Sequence, residues 1–426
     1  MEKETNQSIS TLKIKKGRGL RQADWNAMYH RYRDMFNGQR LPLAFVDLDS
    51  FDKNIAYVAS SQKNSGKTIR VASKSIRSID LIKRIFEKGG RIYQGILAYT
   101  VEEAAFLIDN GFDDIIVAYP SVQLSDLDLL TKIIDKASYL AIMADCKDHL
   151  DILSRFGTST GIRIDVCLDI DMSYRPLGKA THLGVRRSPV RTADQAFSLA
   201  QYASNLKGVR ITSVMGYEAQ VAGVSDDVPG QSIKNSLLRF IKHQSTCELI
   251  CRRSAVVDRL KNAGCDIRVV NGGGSGSLYS TGKDHSVTEI SAGSAFFAPG
   301  LFRYYKEVSF VPAAFFALQI TRIPAPGMVT CHGGGYIASG EVNPNKLPWP
   351  VMPNGLRYIS MEGAGEVQTP LILPHDCPKI GIGDPVFFQH AKAGELCERF
   401  NHLLLVENDS VVGKAATYRG RGFSFL

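Results

Sequence analysis

Between residues 43 and 274 the chain alternates eight short apolar runs with stretches of helical period, and few folds accept that rhythm. The runs are LAFVDLD (43–49), IRVASK (69–74), GILAYT (95–100), DIIVAYP (114–120), LAIMADC (140–146), RIDVCLDID (163–171), ITSVMGYEAQ (211–220) and IRVVNGGG (267–274). They are continuously apolar, not alternating, which marks strands covered on both faces, as in a parallel sheet. Several intervening helices end in glycine (Gly89, Gly111, Gly264), which suits the left-handed residue past a helix end. Eight such units over about 250 residues match a (β/α)8 barrel. A doubly wound open sheet usually has fewer strands, and no GxGxxG follows the first run.

Past residue 300 the rhythm changes. FVPAAFFALQITRIP, VTCHGGGYIASG, PVFFQHA and HLLLVENDSVVGKAATYRG read as strands separated by Gly and Pro turns, with no long helix between them: an antiparallel β domain. The expected fold class is therefore α/β, a (β/α)8 barrel with a C-terminal antiparallel β domain. The expected division is a polar, helix-flavoured segment at 1–40, packing on the β domain or a dimer partner, a barrel at 41–300 and the β domain at 301–426.

The net charge of +9 raises the question of nucleic acid. Apart from a basic stretch from Lys13 to Arg33 the excess is scattered, which suits solubility and the attraction of anionic small molecules better than a groove reader. The eight cysteines include no CxxC pair, and several sit in apolar runs, such as Cys167, so they read as reduced thiols of a cytoplasmic protein. The start, MEKETNQSIS, lacks the apolar core of a secretory signal, and no apolar run reaches the span of about 18 residues that a membrane helix needs. Neither nucleic acid nor membrane is an expected partner.

Barrel enzymes gather their functional groups at the C-terminal ends of the strands. The second run ends in Ser73-Lys74-Ser75. A lysine there would sit partly desolvated at the barrel mouth, which suits it to bond a carbonyl carbon; the plain alternative is a lysine snorkelling at a strand end. The eighth run ends in Asn271-Gly272-Gly273-Gly274-Ser275-Gly276-Ser277, whose tight backbone can turn N–H groups toward an anion, where barrels often bind phosphate; alone it could be a flexible loop. Asp47 and Asp49, Asp169 and Asp171 with Arg175, Arg186 and Arg187, and Tyr217 with Glu218 close other runs and could equally be structural pairs.

FVDLDSFDKNI, VASKS, GYEAQVAG and NGGGSGS followed by TEISAGSAFF resemble the alanine racemase N-terminal-domain superfamily of pyridoxal-phosphate (PLP) enzymes. HLGVRRSPVRT, GEVQTPL and HAKAGELCERF resemble its D-threonine aldolase and D-serine dehydratase branch, within it the amino acid deaminase/aldolase group, and the likeness covers roughly residues 41–426. It implies that Lys74 carries PLP as a Schiff base, that Gly273, Gly274, Ser275 and Gly276 hold the phosphate, and that Tyr217 and Arg175 lie on the cofactor side. It also implies a homodimer.

Enzymes of that branch bind a divalent metal through a histidine and an Asp or Cys two residues later. This chain has two candidates. His375-Asp376-Cys377 has the spacing outright and ordinary zinc-ligand chemistry. His390-Ala391-Lys392 follows GDPVFF, as the family motif does, but puts a lysine where the second ligand belongs. A divalent metal is therefore possible, not assured. One reading has Lys392 supply the positive charge itself. The implied reaction is lyase chemistry on a small-molecule substrate, a β-hydroxy D-amino acid. Cleavage of Cα–Cβ requires a base at the hydroxyl, for which His390 is the candidate; dehydration and deamination require α-proton transfer, for which Lys74 is the candidate. A racemase or decarboxylase would need an acid or thiol opposite the lysine, for which Tyr336 and Cys331 are loosely available. A non-catalytic PLP carrier would end after the barrel.

Overall fold

The computed structural model describes residues 24–340, 344–392 and 394–425. Eight parallel strands close into a barrel: Thr68–Ala72, Tyr93–Ala98, Asp114–Val117, Tyr139–Ala144, Ile164–Asp169, Val209–Gly216, Val269–Gly272 and Glu289–Ala292, the last pairing with the first. Helices Ile79–Gly89, Val101–Asp109, Leu124–Ile133, Lys147–Thr160, Ala193–Ser204 and the long Ser232–Asn262 cross between successive strands. Inside the barrel, Ile116, Ala141, Met143, Cys167 and Met215 form a dry plug. Arg70 also points into the interior, where Glu289 and Asp114 bracket its guanidinium. It passes the second strand only because residue 95 is glycine: a Cβ there would stand 2.1 Å from an Arg70 nitrogen.

A second, mostly antiparallel sheet is built around Ala314–Ala325, Met328–His332, Gln368–Ile372, Pro385–Gln389, His402–Glu407 and Ser410–Ala416. Strand Leu43–Asp47 belongs to this sheet and not to the barrel, contrary to its sequence reading. It lies between Ala314–Ala325, antiparallel, and His402–Glu407, parallel. The cause of the misreading is physical. All five of its residues are buried, with helix Trp25–Met35 on one face and the barrel side on the other, so its apolar run is as continuous as a barrel strand's. Barrel strand eight is instead Glu289–Ala292, short and opened by a glutamate that Arg70 pairs. Lys74 thus closes the first barrel strand and the glycine run closes the seventh.

Helix Trp25–Met35 seats Tyr29 and Tyr32 on the second sheet, where they meet Phe45, Phe315 and Phe387. The basic residues Lys13, Lys15, Lys16, Arg18 and Arg21 lie outside the described residues. Among those described, no helix is long and apolar enough to cross a membrane.

Candidate active site

At Lys74 the first barrel strand passes into a single 3-10 turn, Ser73–Ser75. The Lys74 side chain is half-buried, and its Nζ donates to the Tyr119 hydroxyl at 3.0 Å. Tyr119 follows the third barrel strand. Burial alone would raise its phenol pKa, but the charges of Lys74, Arg187 and Lys392 outweigh burial, and the net shift is downward. The Arg187 guanidinium lies over two rings, 5.4 Å from the centre of Tyr119 and 5.2 Å from that of Tyr217. Asp169, at the end of the fifth strand, is held up to about 7 by burial, with Arg187 pulling the other way.

The glycine run sits next to this group. Gly273 has φ +72°, which a side chain would strain, and its N–H donates to Glu218 at 3.0 Å. A Cβ on Gly274 would come within 3.2 Å of the Tyr217 ring, and one on Gly276 within 2.1 Å of the Ala222 carbonyl, so the loop must stay bare to lie against the tyrosine. Ser275 Oγ accepts from the N–H groups of Gly293 and Ala295, joining the loops after strands seven and eight. That pair of loops is where barrels hold phosphate. Behind it, Arg253 pairs with Glu218 at 2.9 Å and Asp284 at 2.6 Å, all three buried.

The C-terminal sheet closes the other side. The loop after Pro385–Gln389 runs over Lys74: a Cβ on Gly394 would stand 2.2 Å from the Lys74 carbonyl oxygen, and Arg77 binds both that oxygen and Glu398. Lys392 is half-buried, donates to Ser339 Oγ, and is an electrostatic neighbour of both Lys74 and Tyr119. Its ammonium pKa is lowered by burial, against the pull of Glu395. His390 is fully buried; its Nδ1 donates to the Ala314 carbonyl at 3.2 Å, its ring lies edge-on to Phe297, and its Nε2 has no hydrogen-bond partner among the described residues. Burial holds it down to about 4, so the imidazole is neutral at physiological pH.

The remaining candidates lie elsewhere or are otherwise engaged. Arg175 is tied to Asp171 at 2.6 Å and to Ser173 Oγ at 3.0 Å, and Arg187 is the arginine over the tyrosines. Cys377 has Asp376 and Tyr29 as its charged and polar neighbours, beside the N-terminal helix, and His375 is exposed. Among the described residues, the one trio spaced to hold a metal is Asp145, Cys146 and His149, after the fourth strand, where His149 Nδ1 and Asp145 already pair at 3.1 Å. Cys331 is buried and Tyr336 is half-buried with its hydroxyl enclosed, and Glu395 is first among the charges near Tyr336. Sequence reasoning passed over Tyr119 altogether; its signal was a tyrosine closing a buried run, DIIVAYP.

Residues 46–299 match the model of the alanine racemase N-terminal domain. The chain belongs to that family. It is 23% identical to the D-threonine aldolase of an Arthrobacter species over 311 residues, 71% of this chain and 74% of that one. It is 21% identical to the 3-hydroxy-D-aspartate aldolase of Paracoccus denitrificans over 253 residues, 59% of each chain. In three dimensions it is similar to the D-threonine aldolase of Filomicrobium marinum (TM-score 0.75, 19% identity, 90% of this chain and 95% of that). It is also similar to the D-threo-3-hydroxyaspartate dehydratase of Delftia sp. HT23 (TM-score 0.70, 17% identity, 90% and 98%). Solved variants of that dehydratase include a histidine-to-alanine form and, two residues further on, a cysteine-to-alanine form free of metal, the latter with TM-score 0.70, 18% identity and coverage of 90% and 99%.

Proposed function

We propose that this protein is a PLP-dependent lyase that cleaves or dehydrates a β-hydroxy D-amino acid, with Lys74 holding the cofactor. One observation carries the reading: Lys74 Nζ rests on a tyrosine hydroxyl at the barrel mouth, between a bare glycine loop and a loop of the second sheet. The residues fit the cofactor. Gly273, Gly274, Ser275 and Gly276 would take its phosphate, and Tyr217 with Arg187, or Arg175 if its tie to Asp171 opens, would flank its ring. When bound, PLP supplies an electron sink for charge developing at Cα.

The chain's own residues do the rest. Tyr119 holds Lys74 in place and, with its lowered pKa, can pass a proton to or from Nζ. Arg187 offers a positive charge for a substrate carboxylate. The loop around Gly394 covers Lys74 and keeps water from its back. His390 has no free path to a substrate hydroxyl, so in this reading it orients the loop that carries Lys392. The expected assembly is a homodimer, and Ile233, Leu237 and Phe240 leave an exposed apolar stripe on helix Ser232–Asn262 for such a contact.

The test is to incubate the PLP-loaded protein with D- and L-forms of threonine, serine and 3-hydroxyaspartate. Glycine plus an aldehyde marks the aldolase route; ammonia plus a 2-oxo acid marks the dehydratase route. A protein that takes up no PLP, or that takes it up and turns over none of these, would sink the proposal.

A further inference from the structure

The family resemblance implies a metal held through a histidine and a second ligand two residues later, and the solved dehydratase variants replace a histidine and a cysteine of that spacing, the cysteine variant being in a metal-free form. In this chain the family resemblance sets His390, after GDPVFF, at that place, and Lys392 stands two residues later. An ammonium has no lone pair to give a cation and repels one electrostatically. His390 is sealed inside the β domain, with Nδ1 on Ala314 and the ring edge-on to Phe297, so its Nε2 would be the single donor left of the pair. Among the described residues no other histidine, cysteine or carboxylate completes a set of three around it. The donor set does not fit a divalent metal.

Other features of this loop show what stands there instead. Ser339 Oγ holds the Lys392 ammonium, and Ser339 is itself fixed by its N–H on Glu395 at 2.9 Å. Lys392 has Tyr119 and Lys74 among its electrostatic neighbours, and Tyr119 has both lysines among its own, so its charge lies near the group that would carry the cofactor. Gly394, two residues on, touches the Lys74 carbonyl, which sets the loop against the site rather than away from it.

We propose that Lys392 takes the place of the active-site metal, so that a fixed ammonium, not a divalent cation, faces the β-oxygen of the substrate. The part that names the β-oxygen rests on the lyase reading above; the part that names the cation does not. An ammonium stabilises negative charge on a neighbouring oxygen by Coulomb attraction and by donating a hydrogen bond, without the stronger polarisation a dication supplies.

The test uses the PLP-loaded protein and cobalt(II) alone as probe, and reads thiolate-to-cobalt absorbance and bound metal per chain. All forms carry Cys146→Ser, so that the Asp145, Cys146 and His149 trio cannot add a thiolate signal. The parent should bind no stoichiometric cobalt near the cofactor and should keep its turnover after exhaustive chelation. Lys392→Cys, which restores the histidine-cysteine spacing, should bind about one cobalt per chain with a thiolate band, and His390→Ala in that variant should abolish it. Lys392→Met, nearly the same length without charge, should lower kcat by about 30-fold or more with KM changed far less. Stoichiometric metal in the parent that chelation removes together with activity would overturn the proposal. So would a Lys392→Cys protein that melts like the parent yet takes up no cobalt, or a Lys392→Met protein with unchanged kcat. If no β-hydroxy amino acid is turned over, the lyase reading falls while the cobalt measurements still decide which cation the loop was built for.

Discussion

Two groups of charges flank the glycine loop, and they are assembled on opposite terms. Behind the loop, Arg253 is fully enclosed, and carboxylates meet it on two sides: Glu218 at 2.9 Å and Asp284 at 2.6 Å. Glu218 goes on to accept from Gly273 N–H and Thr281 Oγ1. At the mouth, Lys74, Arg187 and Lys392 converge on Tyr119, and among the described residues none of the three forms an ion pair with a carboxylate. A closed set of opposite charges shapes a fold, since each member is tolerable only because the others are there. A half-open set of like charges destabilises the chain that holds it and is retained where an anion is to be bound. The first group holds the glycine loop in shape; the second has the charge that suits an anion.

The sharpest way to break that contrast is to remove one member from each. Lys74→Ala should reduce turnover by at least about 10^4-fold and abolish the visible band of the lysine-bound cofactor, which borohydride would otherwise bleach. Because Lys74 satisfies no buried charge, the melting curve of the cofactor-free protein should barely move. Arg253→Met should do the reverse to the fold. It leaves Glu218 buried without its ion-pair partner and leaves Asp284 with Lys67, whose ammonium bonds the Asp284 carbonyl, as its neighbouring cation, and should cost about 3–5 kcal/mol in urea titration. A loss under 1 kcal/mol would mean that the group behind the loop is not a closed set at all.

Tyr119→Phe probes the open group more gently. The hydroxyl that anchors Nζ is lost while the ring under Arg187 stays, so kcat should fall by about 10^2-fold with little change in stability. The pH profile carries the sign. In the native protein Tyr119 sheds its proton below the ordinary tyrosine range, because the cations around it outweigh burial. Activity that needs the protonated phenol should therefore fall on the alkaline side, and the Phe variant should lack that limb. Identical profiles in the two proteins would remove Tyr119 from the chemistry.

The barrel was legible because seven of its strands carry apolar runs that are mostly buried, and Lys74 and the glycine run because a strand end and a loop's backbone needs are local properties. What was not legible depends on pairing over long separations. Leu43–Asp47 reads as a barrel strand, and only its pairing with strands Ala314–Ala325 and His402–Glu407 places it in the other sheet. Glu289–Ala292 was hidden because its first residue is charged, and the cause, Arg70, lies 219 residues away. At the mouth, Arg187 and Tyr119 come from separate loops, and nothing short of the fold sets that arginine over that ring. Arg175, nearer in sequence to the expected place, spends its charge on Asp171.

A third kind of buried charge lies between the two groups and gives the smallest effect. Glu103 is fully buried on helix Val101–Asp109, where it accepts from Tyr99 N–H at 2.8 Å and from the Tyr418 hydroxyl at 3.0 Å, linking the barrel to the chain just past strand Ser410–Ala416. It has hydrogen bonds but no cation in contact, so it escapes the cost of burial by keeping its proton: burial lifts it from 4.5 to about 7, with Arg77 among the weaker opposing influences. Between those two values the folded protein holds a proton that the unfolded chain has released. The native state binds more protons there, so this contribution is complete below pH 4.5 and is lost as the pH rises toward 7. Glu103→Gln keeps the shape and the hydrogen-bonding oxygen but cannot ionise. Across that window the native protein should lose on the order of 2–3 kcal/mol relative to the Gln variant, measured by urea titration at each pH. Asp169, also raised to about 7, is present in both proteins and cancels in the difference. If the two stability curves run parallel instead, Glu103 is ionised in the fold, Arg77 is its true partner, and the site belongs with the closed ion pairs behind the glycine loop.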